Sequence, residues 1–90
     1  MLKIRYSSMF KKDFKSITKR GYDINLFKQI LDVLINEKPL SEKLLDHSLS
    51  GEYGGHRECH ITPDWLLIYK IEKDIMTLTL TRTGSHSDLF

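Results

Sequence analysis

The apolar residues change their spacing halfway along the chain, and that change restricts the fold more than any other feature. Phe10, Phe14 and Ile17 recur at helical intervals, as do Ile24, Phe27, Ile30, Leu31 and Leu34. Each set forms one stripe along a helix, with Val33 and Ile35 widening the second. Ser7 or Ser8 can cap the first helix and Asp23 the second, because a short side-chain oxygen there accepts an otherwise orphaned amide. Gly21 is a natural left-handed stop between them, and Pro39 predicts that the second helix ends by Lys38. Joined by Arg20-Gly21-Tyr22, the two read as an antiparallel helical hairpin.

From residue 49 onward the period is two. Arg57, Cys59 and Ile61 alternate with Glu58, His60 and Thr62, while Trp65–Ile71 is almost continuously apolar, as in a strand covered on both faces. Residues 75–83 set Met76, Leu78 and Leu80 against threonines, and LKIRY at residues 2–6 alternates apolar with basic residues. Turn residues punctuate these runs at Gly54-Gly55, Pro63-Asp64 and Lys73-Asp74. Short turns between strands imply an antiparallel meander, whose apolar face only the helical hairpin can cover. The expected fold is α+β over residues 1–90 as a single domain: two helices packed on a twisted, mostly antiparallel sheet of four to five strands.

Apolar residues make up 40% of the chain and charged residues 29%, a balance that excludes disorder. No apolar run is long enough to span a bilayer, and basic residues interrupt the N-terminus where a secretory signal would be apolar. The single cysteine, Cys59, cannot form an internal disulfide, so a cytoplasmic protein without a membrane partner is the simplest expectation. The net charge is only +2, yet residues 1–20 carry seven basic groups against Asp13 alone. Lys11, Lys12, Lys15, Lys19 and Arg20 on that helix fit a polyanion, or else a solvated helix face.

Four histidines, His47, His56, His60 and His86, supply proton-transfer chemistry near neutral pH. Cleaving RNA without a metal requires a base for the 2′-OH, an acid for the departing 5′-oxygen and a cation near phosphorus. His47, His60, Asp64 and His86 offer the first two, Arg57 and Arg82 the third. In an antiparallel meander, the end of the 57–62 strand, the start of the 65–71 strand and the end of the 75–83 strand share one edge. His60, Asp64, Trp65, Arg82 and His86 are therefore expected on one rim. Simpler readings stand beside these: Asp64 as a turn residue, Trp65 as packing, Arg57 as half of an ion pair, and His47 and His56 as loop residues. Metal ligation by His56, Cys59, His60 and Asp64 is disfavoured, because the spacing matches no common zinc site and Cys59 alternates away from His60.

The run DHSLSGEYGGHRECHITPDWLLIYKI, followed by RTGSHSDLF, resembles the YafQ-type toxins of the RelE superfamily, the toxin halves of bacterial type II toxin–antitoxin pairs. The resemblance rests on an Asp-His before Leu-x-Gly, an Arg-x-x-His, a Pro-Asp-Trp turn and an Arg-x-Gly-x-His ending in Leu-Phe, all in order, and covers nearly the whole chain. It implies a ribosome-dependent endoribonuclease that cuts messenger RNA without metal or cofactor. It implies catalytic roles for His47, His60, Asp64 and His86, with Trp65, Arg82 and Phe90 lining the site. Arg57 matches a family arginine, whereas His56 stands where the family usually has an aromatic residue. The implied partners are an antitoxin with an acidic segment and a DNA-binding N-terminus, together with mRNA and ribosomal RNA. The alternative is a non-catalytic toxin of the same fold acting on DNA gyrase. Such relatives generally lack this set of histidines.

Overall fold

Local capping starts both helices where expected. Ser7 Oγ accepts the Phe10 amide at 2.9 Å and opens α1, Ser8–Lys19; Asp23 accepts the Asn25 amide at 3.0 Å and opens α2, Ile24–Ile35. The structure, a computed structural model, describes all of residues 1–90. Gly21, at φ +82°, makes the turn between the helices. α2 ends at Ile35, inside the limit that Pro39 sets. Glu37 adopts a left-handed conformation, φ 54°, and its amide bonds the Leu34 carbonyl while the Lys38 amide bonds that of Val33. Those two bonds satisfy the last helical carbonyls, so the helix is closed before the proline acts.

The strands are β1 (Lys3–Tyr6), β2 (His47–Ser48), β3 (Arg57–Thr62), β4 (Trp65–Glu72) and β5 (Thr77–Gly84). They form one sheet in the order β1-β5-β4-β3-β2, antiparallel except for β1, which runs parallel to β5. β1 pairs only with the first half of β5, and α1 begins where β1 ends: the Ser7 amide and hydroxyl bond the Leu80 and Thr81 carbonyls. Lys73-Asp74 turns as expected, within a 3-10 turn over Lys73–Ile75, so Ile75 and Met76, expected in the last strand, precede β5.

The core lies between the helices and one face of the sheet. Phe10, Ile17, Phe27, Ile30 and Leu34 pack on Cys59, Leu67, Tyr69, Leu78 and Leu80, all buried. Removing such side chains from water contributes about 1.5–3 kcal/mol each. On the other face Leu66 and Ile68 are also fully buried, beneath Leu89 of a one-turn helix α3 (His86–Leu89) and the partly buried Leu49 and Tyr53. The continuous apolar run of β4 thus reflects cover on both sides, with only a thin layer on the second.

Two irregularities in pairing decide what this second face carries. Residues directly opposite in adjacent strands share a face. Tyr69 pairs with Leu80 on the helix side, but Ile68 pairs with Arg82, leaving Thr81 as an extra residue. The bulge turns Arg82 away from the helices, where strict alternation from Leu78 and Leu80 would have sent it inward. A second bulge at Ile61 falls at the end of β3, so that His60 pairs with Leu66 and Thr62 with Trp65.

Candidate active site

The imidazoles meet on the face away from the helices. His60 pairs with Leu66, Glu58 with Ile68, and His47 in β2 with Glu58, so all three lie on one side. The His47 and His60 rings are 6.2 Å apart between centroids, and the His60 and His86 rings 5.8 Å, which makes an unbroken row of three. Glu58 sits beneath the first two, its Oε1 at 3.5 Å from His47 Nε2 and 3.7 Å from His60 Nε2. These separations are electrostatic contacts rather than hydrogen bonds. Glu58 is only 5% exposed, and its Oε2 has no hydrogen-bond partner.

Two of the rings are fixed through Nδ1. His47 Nδ1 lies 2.7 Å from the Leu45 carbonyl, which can only accept, so that nitrogen carries the hydrogen. His86 Nδ1 lies 2.9 Å from Asp64 Oδ1, which also accepts the His86 amide at 3.1 Å. Both bonds leave Nε2 free for proton transfer. The His86 side chain and amide together hold the Asp64 carboxyl below the usual carboxylate range. Asp64 is therefore an orienting group for His86 as well as the turn residue that Pro63 invites.

α3 is a single turn, too short to hold itself, and its residues show what fixes it. Ser85 and Asp88 form a reciprocal capping box. Asp88 Oδ2 also accepts Arg20 Nη2 at 2.7 Å, and this pairing with Arg20 lowers the Asp88 pKa to about 2. Gly84 precedes the cap with φ +154°, and a Cβ there would lie 2.8 Å from Asp88 Oδ2, so only glycine fits.

Arg82 points into the same face but is tightly held. Asp13 of α1 accepts its Nε at 2.7 Å and Nη2 at 3.1 Å, and Tyr53 Oη accepts Nη1 at 3.5 Å. The Asp13 bond drives the Arg82 pKa well upward, so its charge is permanent. Asp13 also takes the Thr83 amide at 3.2 Å, closing the edge of β5 that β1 leaves uncovered. Phe90, 67% exposed, stands edge-on to Tyr53 at 6.3 Å.

Two residues expected here lie elsewhere. Trp65 pairs with Thr62 and shares the helix-side face with Leu67 and Tyr69, so it is core: 2% exposed, edge-on to Tyr22, its indole N–H donated to Thr83 Oγ1 at 2.9 Å. It has no surface to offer a base. Arg57 also shares the helix-side face, opposite Tyr69, and its Nε pairs with Asp46 at 3.1 Å. The ion pair weighed for it in the sequence is present. The Lys11, Lys12, Lys15 and Lys19 side chains are exposed along α1, whereas Arg20 is spent on Asp88. His56, with Nδ1 at 3.4 Å from the Gly54 carbonyl, is a turn residue.

Glu58, Asp13 and Tyr53 join the site although none of them is among the residues expected there. Glu58 has a signal, since it stands two residues before His60 on the same strand face; the other two come from distant segments. The ligand-type side chains that converge are not the set of His56, Cys59, His60 and Asp64 that the sequence disfavours. Cys59 is buried in the core, where desolvation pushes its thiol up to about 12, and the converging set is His47, Glu58 and His60, whose donor atoms lie within 4.8 Å of one another. Two imidazoles and a carboxylate are a donor set that suits a transition-metal ion.

The chain is similar to known proteins along its whole length. The chain is 42% identical over 88 residues to the mRNA interferase toxin YafQ of Escherichia coli K12, covering 97% of this chain and 94% of that protein. It superposes on a metal-bound toxin from Helicobacter pylori with TM-score 0.93 at 47% identity, over the full length of both chains. It superposes on the toxin of the E. coli DinJ–YafQ complex with TM-score 0.91 at 41% identity, over 100% of this chain and 99% of that one. Residues 2–90 match the YafQ family, and the chain therefore belongs to the YafQ toxins of bacterial type II toxin–antitoxin systems.

Proposed function

We propose that this chain is a ribosome-dependent endoribonuclease that cuts messenger RNA during translation by metal-independent acid–base chemistry. The observation that supports this most is the row of three imidazoles, two with Nδ1 engaged and Nε2 free, with a permanently charged arginine on the same face of the sheet. In the reaction, one Nε2 removes the 2′-OH proton, the 2′-oxygen bonds to the adjacent phosphorus, and the bond from phosphorus to the 5′-oxygen breaks. A second group gives its proton to that 5′-oxygen, leaving a 2′,3′-cyclic phosphate that water can open to a 3′-phosphate. His86, oriented by Asp64, is one of the pair, and His47 and His60 share the other role over the Glu58 carboxylate. Groups this close titrate as a set. Arg82 stabilises charge growing on the phosphate. Phe90 stacks on a base, and Lys11, Lys12, Lys15 and Lys19 hold ribosomal RNA.

The E. coli relative is found in complex with DinJ, and we assign this chain an antitoxin partner whose acidic segment covers the basic residues of α1. No helix here is long and apolar enough to cross a membrane.

The test is translation of a defined message in a purified system, with cut sites mapped by primer extension. The parent cuts within codons only while ribosomes translate, and His86→Gln slows cutting by roughly 10²–10⁴-fold while keeping the fold. Unimpaired cutting by that variant refutes the centre, and equal cutting of free RNA refutes ribosome dependence. A messenger left intact alongside inhibited supercoiling would favour the gyrase alternative. The His47–Glu58–His60 set supports a second reading, in which these residues hold a metal ion, as the H. pylori relative binds one. A bound ion would take imidazole lone pairs that proton transfer needs. Added copper or zinc should then inhibit and a chelator restore cutting; loss of cutting on chelation would instead make the metal catalytic.

A further inference from the structure

A hollow of about 380 Å³ borders the imidazole row at His60, lined also by Lys43, Leu44, Leu45, Ile61, Thr62 and Pro63. That volume is within the range of small-molecule subsites. Leu45 is the unusual member. Its backbone is left-handed, φ 51° and ψ 38°, where it ends the 3-10 turn Glu42–Leu44, yet its side chain is 62% exposed. Glycine or asparagine would hold that backbone with less strain, so the turn alone does not explain a leucine. Core packing does not explain it either, since Leu45 joins neither hydrophobic cluster. Its carbonyl is also the acceptor that fixes His47. The strained residue thus fixes a ring of the site and presents an apolar side chain to the adjoining hollow, a use that fits an observed outlier beside a reacting centre.

A hollow lined by leucine, isoleucine and proline with one cation among its lining residues, sharing a wall with a proton-transfer group, suits a flat heterocycle with a phosphate attached. We propose that the hollow takes the base of the nucleotide flanking the cleaved phosphodiester, with Leu45 packed on the base and Lys43 on its phosphate. The assignment rests on the nuclease reading above. It makes Leu45 and Lys43 specificity determinants that touch substrate without moving protons.

Leu45→Asn tests it, since asparagine tolerates the left-handed backbone and removes the apolar contact. In the ribosome-dependent assay its KM should rise by roughly five- to tenfold with kcat within about twofold, the pattern of lost uniform binding. The spread of flanking nucleotides at cut sites should broaden. Leu45→Met should restore both, and an abasic flanking nucleotide should erase the difference between parent and Leu45→Asn. A Leu45→Asn variant with the parent's KM and cut sites overturns the subsite and leaves the nuclease reading standing. A parent that cuts nothing overturns both.

Discussion

Replacing Asp13 by alanine severs the contact that ties α1 to the site. The carboxylate accepts Arg82 at 2.7 and 3.1 Å and the Thr83 amide at 3.2 Å, and the Arg82 and Asp13 side chains are 17% and 13% exposed. An exposed ion pair contributes about 0–1 kcal/mol, whereas breaking a buried one costs about 3–5 kcal/mol because the surviving charge is left without a partner. The residual exposure and the Tyr53 hydroxyl moderate that upper figure, while the orphaned Thr83 amide adds about 1 kcal/mol. Asp13→Ala should therefore destabilise by about 2–4 kcal/mol, lowering Tm by roughly 10–25 °C at this chain length. Urea unfolding followed by circular dichroism measures it, with an unchanged m-value as the sign that unfolding stays two-state. Arg82→Met in the same chain removes the stranded charge, so the double variant should be at least about 1 kcal/mol more stable than the sum of the single changes. A loss below about 1 kcal/mol for Asp13→Ala, or strict additivity, would refute the account of a held, half-buried arginine.

The remaining expectations concern groups around His86 and the core thiol. Asp64→Asn should lower kcat by roughly tenfold or more through weaker orientation of His86, yet leave Tm within a few degrees because Asp64 is exposed; equal kcat would remove Asp64 from the site. Asp88 has its pKa lowered to about 2 by Arg20, so that pairing stabilises fully above about pH 4 and is lost as pH falls through 2. Arg20→Gln should accordingly be less stable than the parent at pH 5, by no more than about 1 kcal/mol for so exposed a pair, with thermal melts converging by pH 2; a gap constant with pH would contradict this. Cys59, fully buried with its thiol pushed up to about 12, should resist thiol reagents at pH 8 until urea unfolds the chain, and fast labelling of the native protein would refute its burial.

Elements built from neighbouring residues are legible in the sequence. Ser7 and Asp23 announce α1 and α2, the alternation of residues 57–62 announces β3, and Pro63-Asp64 announces the turn that brings His60 and Asp64 to the end of the sheet where α3 presents His86. Arg57 is legible too: alternation with Glu58 and His60 already assigns it to the opposite face. Trp65 is not, because it opens a run of buried residues in which neither face is marked by polarity.

The rest depends on segments far apart in the chain. Strict alternation would bury Arg82, and only the bulge at Thr81, visible in the pairing of β4 with β5, turns it toward the imidazoles. Asp13 reaches Arg82 and Thr83 across about seventy residues, Arg20 reaches Asp88 across a similar span, and His47 joins the row because a two-residue strand pairs it with Glu58. By itself the sequence determined which residues become helix or strand and which types of chemistry they carry, since both follow from short-range periodicity and side-chain identity. Tertiary structure decided which of them face one another, since strand register and bulges are set by pairing partners that local periodicity does not encode.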